Sequence, residues 1–174
     1  KSISEIGFTD HISVKPVGWA MNLSDIPTMI EKVNSFNIDE KSPVLVKLGG
    51  EIDYIHGMEK EIAILINSIP FDYTIGSVHF INDWNFDTDI RPYDQINIDK
   101  FYTDYFRLVQ QSAKSGLFDV IGHCDLAKKF CYYPTFRLER LYEETAKVFK
   151  KSGGVVELNT SGRNKPCAEF YPSA

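Results

Sequence analysis

The hydrophobic positions along the chain alternate between short runs typical of buried strands and longer stretches with helical spacing. In the longer stretches, apolar residues recur three and four positions apart, which predicts amphipathic helices. The predicted helices cover residues 22–36, 58–69, 98–112 and 138–149. The predicted strands are Ile3 to Phe8, Val44 to Leu48, Tyr73 to Phe80, Phe118 to Ile121 and Val155 to Leu158. Five successive units that each begin with a strand are therefore expected.

Such alternation is typical of parallel strands joined by right-handed crossovers, which predicts an α/β fold. Two arrangements are open, an open doubly wound sheet and a barrel. A closed eight-stranded barrel needs about 200 or more residues, so five units form either an open sheet or a part of a barrel. We expect a single domain over residues 1–174, with one long irregular stretch at Asn82 to Gln95 as a loop over a site.

In parallel α/β folds, ligands bind at the carboxyl ends of the strands. Asp10 and His11 follow the first predicted strand, Glu51 the second, His79 ends the third, and His123 follows the fourth. Asp125 and Asn159 occupy similar positions after the fourth and fifth strands. A lone histidine at a strand end is usually structural, and we interpret His56 in that way. The conjunction on successive strands instead predicts a site for Zn²⁺, Mn²⁺ or Fe²⁺, with Glu51 able to bridge two ions.

The composition narrows the other possibilities. A net charge of −5 gives no basic surface for a nucleic acid, and no apolar run approaches the roughly 18 residues of a membrane span. Together with the absence of a signal peptide, this leads us to expect a cytoplasmic protein.

Cys124 neighbours His123, but adjacent residues of a strand face opposite ways, so Cys124 should face away from the site. The glycine pairs at 49–50 and 153–154 are interpreted as turn or helix-end residues.

Several segments, taken together and in order, resemble the motifs of the PHP phosphoesterase family, and its histidinol-phosphate phosphatase branch is the closest match. The resemblance runs from about Glu5 to Pro172. Its segments are Phe8-Thr9-Asp10-His11, Gly49-Gly50-Glu51-Ile52-Asp53-Tyr54, Gly76-Ser77-Val78-His79-Phe80, Asp119-Val120-Ile121-Gly122-His123-Cys124-Asp125 with Lys128-Lys129-Phe130, and Glu157-Leu158-Asn159-Thr160-Ser161-Gly162.

The resemblance implies a distorted (β/α)₇ barrel of the TIM-like type, here with about five of its units, that holds up to three divalent metals. It implies that Glu51, His79 and His123 hold one metal and act in catalysis, that Glu51 bridges to a second metal, and that His11 holds a third. The family's first His-x-His and last Asp-x-His motifs do not occur in these 174 residues. We therefore expect the chain to be the central portion of a PHP domain.

The activity implied by the resemblance is hydrolysis of L-histidinol phosphate in histidine biosynthesis. Arg163 and Lys165, in the loop after the fifth strand, are candidate phosphate ligands. Asp83 or Asp87 could receive the amine or the imidazole of histidinol. Two alternatives are open: a PHP phosphoesterase that acts on another small phosphate ester, and a PHP-type domain that only binds a partner. The sequence does not indicate the oligomeric state.

Overall fold

The computed structural model describes residues 3–38 and 44–173, in which strands and helices alternate as the pattern predicts. The helices are α1 (Ile26–Ile38), α2 (Glu59–Asn67), α3 (Ile98–Ser115) and α4 (Glu139–Ser152). The strands are β1 (Glu5–Ile12), β2 (Leu45–Asp53), β3 (Tyr73–Ser77), β4 (Phe80–Ile81), β5 (Trp84–Asn85), β6 (Val120–Ile121) and β7 (Val155–Val156). Within this described part of the chain, no helix is long and apolar enough to cross a bilayer.

The main sheet contains five parallel strands in the order β1-β2-β3-β6-β7, so each strand pairs with the one that precedes it in this sheet along the chain. A doubly wound sheet would reverse its strand order at a switch point, whereas the strands of a β/α barrel follow one another around the sheet. The α/β class with five parallel strands is thus confirmed, and the strand order favours the barrel arrangement over the doubly wound one.

The first two strands are longer than predicted, and this changes where two site residues lie. β1 continues to Ile12 and β2 to Asp53, because eight consecutive residue pairs join the two strands in parallel register. His11 and Glu51 are directly opposite each other in that register. The expectation that these two residues follow their strands was therefore wrong, since both lie inside the paired part of their strands, one residue pair before the end of the β1–β2 ladder.

The third strand is shorter than predicted. β3 ends at Ser77, and Phe80 instead begins β4, which pairs with β5 in a separate antiparallel ribbon. β5 and the 3₁₀ helix Arg91–Asp94 both fall inside the stretch that was expected to be irregular. His79 consequently lies in the short connection between the two sheets, two residues beyond the end of β3.

The interpretation of the first glycine pair as a turn was wrong, because Gly49 and Gly50 lie in the middle of β2. A Cβ atom on Gly49 would lie 2.5 Å from the Tyr73 ring, and one on Gly50 would lie 2.7 Å from the Phe71 ring. The pair therefore makes room for an aromatic ring on each face of the sheet. Gly153, by contrast, ends α4 with a φ of 74°, as expected of a helix-end glycine.

Aromatic packing fixes the 82–95 segment against α3. Phe86 and Tyr93 are almost fully buried, and the Phe86 ring centroid lies 5.4 Å from those of Phe101 and Tyr105 on the helix. Such ring pairs contribute about 0.5–1.5 kcal/mol each beyond the area that they bury. The backbone next to Asp87 is thereby held at a defined position beside the sheet.

Candidate metal centre

Four side chains from neighbouring strands of the main sheet converge at its carboxyl edge. His11 and Glu51 lie near the ends of β1 and β2, and His79 and His123 each come two residues after β3 and β6. Because these strands are consecutive in the sheet, their side chains form one row along the edge. The structure brings together the four residues that the sequence predicts as metal ligands.

The two carboxylate oxygens of Glu51 face different histidines. Oε1 lies 3.0 Å from Nε2 of His123 and 3.9 Å from Nε2 of His79. Oε2 lies 3.6 Å from Nε2 of His11. The Nε2 atoms of His79 and His123 are themselves 3.1 Å apart. One carboxylate oxygen thus faces His79 and His123 and the other faces His11, which is the arrangement that a ligand bridging two ions requires.

The donor set suits a divalent metal. The ligand atoms of His11, Glu51 and His79 all lie within 4.8 Å of one another. Asp53 accepts a hydrogen bond of 2.7 Å from Nδ1 of His79, so the lone pair of that ring is on Nε2, which faces the other ligands. Imidazole nitrogen with carboxylate oxygen is a ligand set for Zn²⁺, Mn²⁺ or Fe²⁺.

The surroundings keep Glu51 ionised. Burial alone would raise the pKa of this carboxyl, but the hydrogen bond and charge of His123, the charge of His11 and the Ser77 hydroxyl lower it to about 2. The Ser77 hydroxyl donates to Oε1 at 2.7 Å. Burial would lower the pKa of His123, but its contact with Glu51 outweighs this and raises the pKa above the usual value. The centre therefore consists of the ionised carboxylate of Glu51 with three imidazole rings around it.

The ligands open into a cavity of about 410 Å³, a volume suited to a small molecule. Trp19 covers one side, with its ring centroid 4.9 Å from that of His11 and 5.4 Å from that of His79. The lining residues are His11, Trp19, Glu51, His79, Asp87, Thr88, His123, Leu126, Lys129, Asn159, Ser161, Lys165 and Tyr171.

The two predicted phosphate ligands lie in different places. Lys165 lines the cavity. Arg163 lines a separate groove with Glu169 and Phe170, where its guanidinium carbon lies 5.4 Å from the centre of the Phe170 ring. The structure therefore brings Lys165 to the metal centre and does not bring Arg163 there, although Arg163 lies in the 3₁₀ helix Ser161–Asn164 that Lys165 directly follows.

The two predicted acidic contacts for the substrate also separate. Asp87 lines the cavity, where its Oδ1 lies 2.5 Å from Nζ of Lys129. The side chain of Asp83 is 98% exposed and pairs with Lys15 at 3.0 Å, outside the cavity. Of these two residues, only Asp87 is placed to contact a bound molecule.

Of the remaining candidates, only Asn159 lines the cavity. His56 is mostly exposed and lies 3.5 Å from Glu59 at the start of α2, away from the centre. Cys124 is buried, does not line the cavity, and has its thiol pKa raised to about 12 by burial. Asp125 pairs with the buried Lys128 at 2.8 Å, and Asn159 lines the cavity.

Sequence reasoning gave no role to several residues of the site, among them Asp53, Lys129 and Trp19. Asp53 could have been found, since it lies two positions after Glu51 and so faces the same side of β2. Lys129 was noticed only as part of a motif, although it supplies a cation to the cavity. Trp19 belongs to the connection after β1, and no local pattern predicts where such a side chain points.

The parallel sheet and the row of histidines and a glutamate at its carboxyl edge define an α/β protein with a candidate divalent-metal centre. Residues 1–161 match the PHP domain family. The chain belongs to this family, as the resemblance in its motifs implied.

Two curated relatives match nearly the whole chain. The Deinococcus radiodurans protein named "Probable histidinol-phosphatase" is 35% identical over 179 residues, which cover 98% of this chain and 67% of that protein. The Histidinol-phosphatase of Bacillus subtilis is 25% identical over 195 residues, which cover 97% of this chain and 73% of that protein.

Two solved structures share the fold. The structure of a candidate histidinol phosphatase, HisK, from Listeria monocytogenes has a TM-score of 0.85 at 23% identity, covering 98% of this chain and 76% of that one. The histidinol phosphate phosphatase of Lactococcus lactis, solved with zinc, L-histidinol and phosphate, has a TM-score of 0.81 at 22% identity. That match covers 97% of this chain and 66% of the Lactococcus chain.

Proposed function

We propose that this protein is a metal-dependent histidinol-phosphatase, which hydrolyses L-histidinol phosphate to L-histidinol and phosphate in histidine biosynthesis. The observation that carries the proposal is one cavity that combines the ligand row His11, Glu51, His79 and His123 with the cations of Lys129 and Lys165. Relatives named for this activity match almost the whole chain. A cytoplasmic location belongs to the same proposal, because the substrate is an intermediate of amino-acid biosynthesis.

Glu51, His79, His123 and His11 would hold the divalent ions, and Zn²⁺, Mn²⁺ and Fe²⁺ all suit these donors. When bound, such ions polarise the phosphoryl oxygens, neutralise charge that develops on them, and lower the pKa of water. Neighbouring residues hold these metal-binding side chains in place before a metal ion binds. Ser77 and His123 orient the carboxylate of Glu51 through hydrogen bonds of 2.7 and 3.0 Å.

The lysines and Asp87 supply complementary charges for the substrate. Lys129 and Lys165 line the same cavity as the metal ligands, so their ammonium groups can bind the phosphate oxygens. Asp87 offers a carboxylate to the amine of histidinol, and its pairing with Lys129 keeps both charges in the cavity before the substrate arrives. Trp19 contributes an apolar wall that limits access of water to His11 and His79.

The test is metal content and hydrolysis of L-histidinol phosphate by the natural full-length protein, with Glu51→Ala and His123→Ala variants. His56→Ala is the matched control, since it removes an exposed histidine outside the cavity. We expect bound divalent metal and turnover in the wild type and the control, and loss of both in the two ligand variants. A metal-free, inactive wild type would instead favour a domain that only binds a partner.

A panel of phosphate esters tests the substrate. We expect L-histidinol phosphate to be hydrolysed with a much higher kcat/KM than p-nitrophenyl phosphate or a nucleoside monophosphate. Equal kcat/KM values across the panel, with metal bound, would support a phosphatase activity but would contradict the assignment of histidinol phosphate as the substrate.

A further inference from the structure

The main chain of His123 is bonded at both of its polar groups by side chains from other parts of the fold. Its N–H donates to Oε2 of Glu157 at 2.8 Å. Its carbonyl oxygen accepts from the Tyr105 hydroxyl at 3.1 Å. These contacts begin where the sheet stops, because the last ladder contact of this segment is made by Gly122, whose N–H donates to Gly76.

Tyr105 connects the two ends of the turn that follows His123. Its hydroxyl donates to the His123 carbonyl and accepts a hydrogen bond of 3.0 Å from the N–H of Leu126. Tyr105 is completely buried on α3, and its ring packs edge-on against Phe86 and Phe106, each with a centroid distance of 5.4 Å. The hydroxyl is therefore a fixed point on a rigid helix.

Glu157 reaches the same residue from the segment after β7. Its other carboxylate oxygen, Oε1, accepts from the side-chain amide of Asn159 at 3.1 Å, which restrains the carboxylate. Besides the turn hydrogen bond of 3.0 Å from the Leu126 N–H to its carbonyl, the His123 main chain is thus held by two side chains, Tyr105 and Glu157, that are far from it in sequence.

This support matters because the His123 ring lacks the support that the His79 ring has. Asp53 holds Nδ1 of His79 at 2.7 Å. In the described part of the chain, Nδ1 of His123 is buried and has no hydrogen-bond partner. The ring of His123 is therefore held only at Nε2, by Glu51 at 3.0 Å and His79 at 3.1 Å, and the main-chain contacts fix the backbone from which it extends.

We propose that Tyr105 and Glu157 are positioning residues for the metal ligand His123, which set its distance from Glu51 and His79. The inference rests on the proposed function, since it concerns the same metal centre. Groups that orient a metal ligand typically change metal affinity about 10–100-fold when they are removed. Tyr105 and Glu157 perform this orientation through the backbone of the ligand.

Tyr105→Phe is the sharpest test, because it deletes one oxygen atom and keeps the ring. Tyr102→Phe is the matched control: Tyr102 lies one turn earlier on α3, is as deeply buried, and its hydroxyl has no hydrogen-bond partner among the described residues. We expect Tyr105→Phe to bind Zn²⁺ at least about tenfold more weakly than the wild type and to have a lower kcat with little change in KM. Tyr102→Phe should match the wild type in both.

Thermal unfolding of the metal-free proteins separates positioning from stability. If Tyr105→Phe lowered the Tm of the metal-free protein but bound Zn²⁺ with wild-type affinity below that temperature, its hydroxyl would be a structural group and the inference would be overturned. A visible spectrum of the Co²⁺-loaded protein adds a second reading, since a displaced His123 changes the ligand-field bands and a purely structural change does not.

Glu157→Ala and Glu157→Gln test the second contact. The glutamine variant keeps an acceptor for the His123 N–H, so we expect it to recover most of the Zn²⁺ affinity that the alanine variant loses. Wild-type affinity in Glu157→Ala would overturn the role of Glu157. A wild-type protein that neither binds Zn²⁺ nor hydrolyses the ester would overturn the proposed function, and the inference with it; an active wild type with unaffected Tyr105→Phe and Glu157→Ala would overturn the inference alone.

Discussion

The Nδ1 atom of His79 lies 2.7 Å from Oδ1 of Asp53, and both side chains are almost entirely buried. A carboxylate in this position fixes the tautomer of the ring and increases the basicity of its other nitrogen. We therefore expect Asp53 to prepare His79 as a metal ligand, although Asp53 does not itself line the cavity.

Asp53→Asn should weaken Zn²⁺ binding about 10–100-fold, because the amide still occupies the space but no longer supplies a negative charge to Nδ1–H. The measurement is competition for Zn²⁺ with a chelator of known affinity. Glu61→Gln, which neutralises an exposed carboxylate on α2, is the control and should bind as the wild type does. Unchanged affinity in a folded Asp53→Asn protein would show that the pair serves only the stability of the sheet.

Lys165→Ala should raise the KM for the phosphate ester about tenfold or more and leave the metal content unchanged, because it removes a cation that lines the cavity. A charge-assisted hydrogen bond contributes roughly 1.5–3 kcal/mol, and 1.4 kcal/mol corresponds to a factor of ten. Steady-state kinetics with metal analysis on the same samples provide the check.

Arg163→Ala is the comparison for that experiment, since the sequence predicts Arg163 as a phosphate ligand but its guanidinium lies over Phe170. We expect its KM to match that of the wild type, because Arg163 does not line the cavity. A KM equal to that of the wild type would remove Arg163 from substrate binding, whereas a larger rise than in Lys165→Ala would mean that Arg163 moves to the phosphate in the complex.

Asp87→Asn should reduce the preference for L-histidinol phosphate over p-nitrophenyl phosphate about tenfold, because only the first substrate carries an amine for the carboxylate to bind. The check is the ratio of the two kcat/KM values. Asp83→Asn is the control, since Asp83 is in the same segment but exposed outside the cavity. If both substrates lost activity equally in Asp87→Asn, the carboxylate would serve to hold Lys129 and not to recognise the amine.

Gly49→Ala should destabilise the fold by about 1–3 kcal/mol, the usual range for an overpacked interior. The added methyl group would lie 2.5 Å from the Tyr73 ring and 2.5 Å from a methyl group of Thr9. Urea unfolding gives the free energy directly. Gly18→Ala is the control, because nothing lies within 4 Å of its added Cβ, and it should be as stable as the wild type. Equal stability of the two variants would mean that Tyr73 can move away at little cost.

Much of the fold is encoded locally. The apolar runs and the helical spacing predicted five parallel strands and a helix over residues 98–112, and α3 is found there with a buried face that includes Phe101, Tyr102, Tyr105, Leu108, Val109 and Ser112. Periodicity depends only on which residues face the core, so it can be read without knowing the partners. The residue types at the predicted strand ends, His11, Glu51, His79 and His123, likewise indicated a metal centre because imidazole and carboxylate are intrinsic ligands.

Only the tertiary structure decided how those ligands are supported. The strands β1 and β2 end later than the sequence predicts, because they pair over eight residues. Pairing depends on both strands together, so neither strand alone shows where it ends. The orientation of Glu51 toward three histidines, the support of His123 by Tyr105 and Glu157, and the separation of Lys165 from Arg163 depend on register and on the paths of loops. These contacts join residues distant in sequence, so no local pattern contains them.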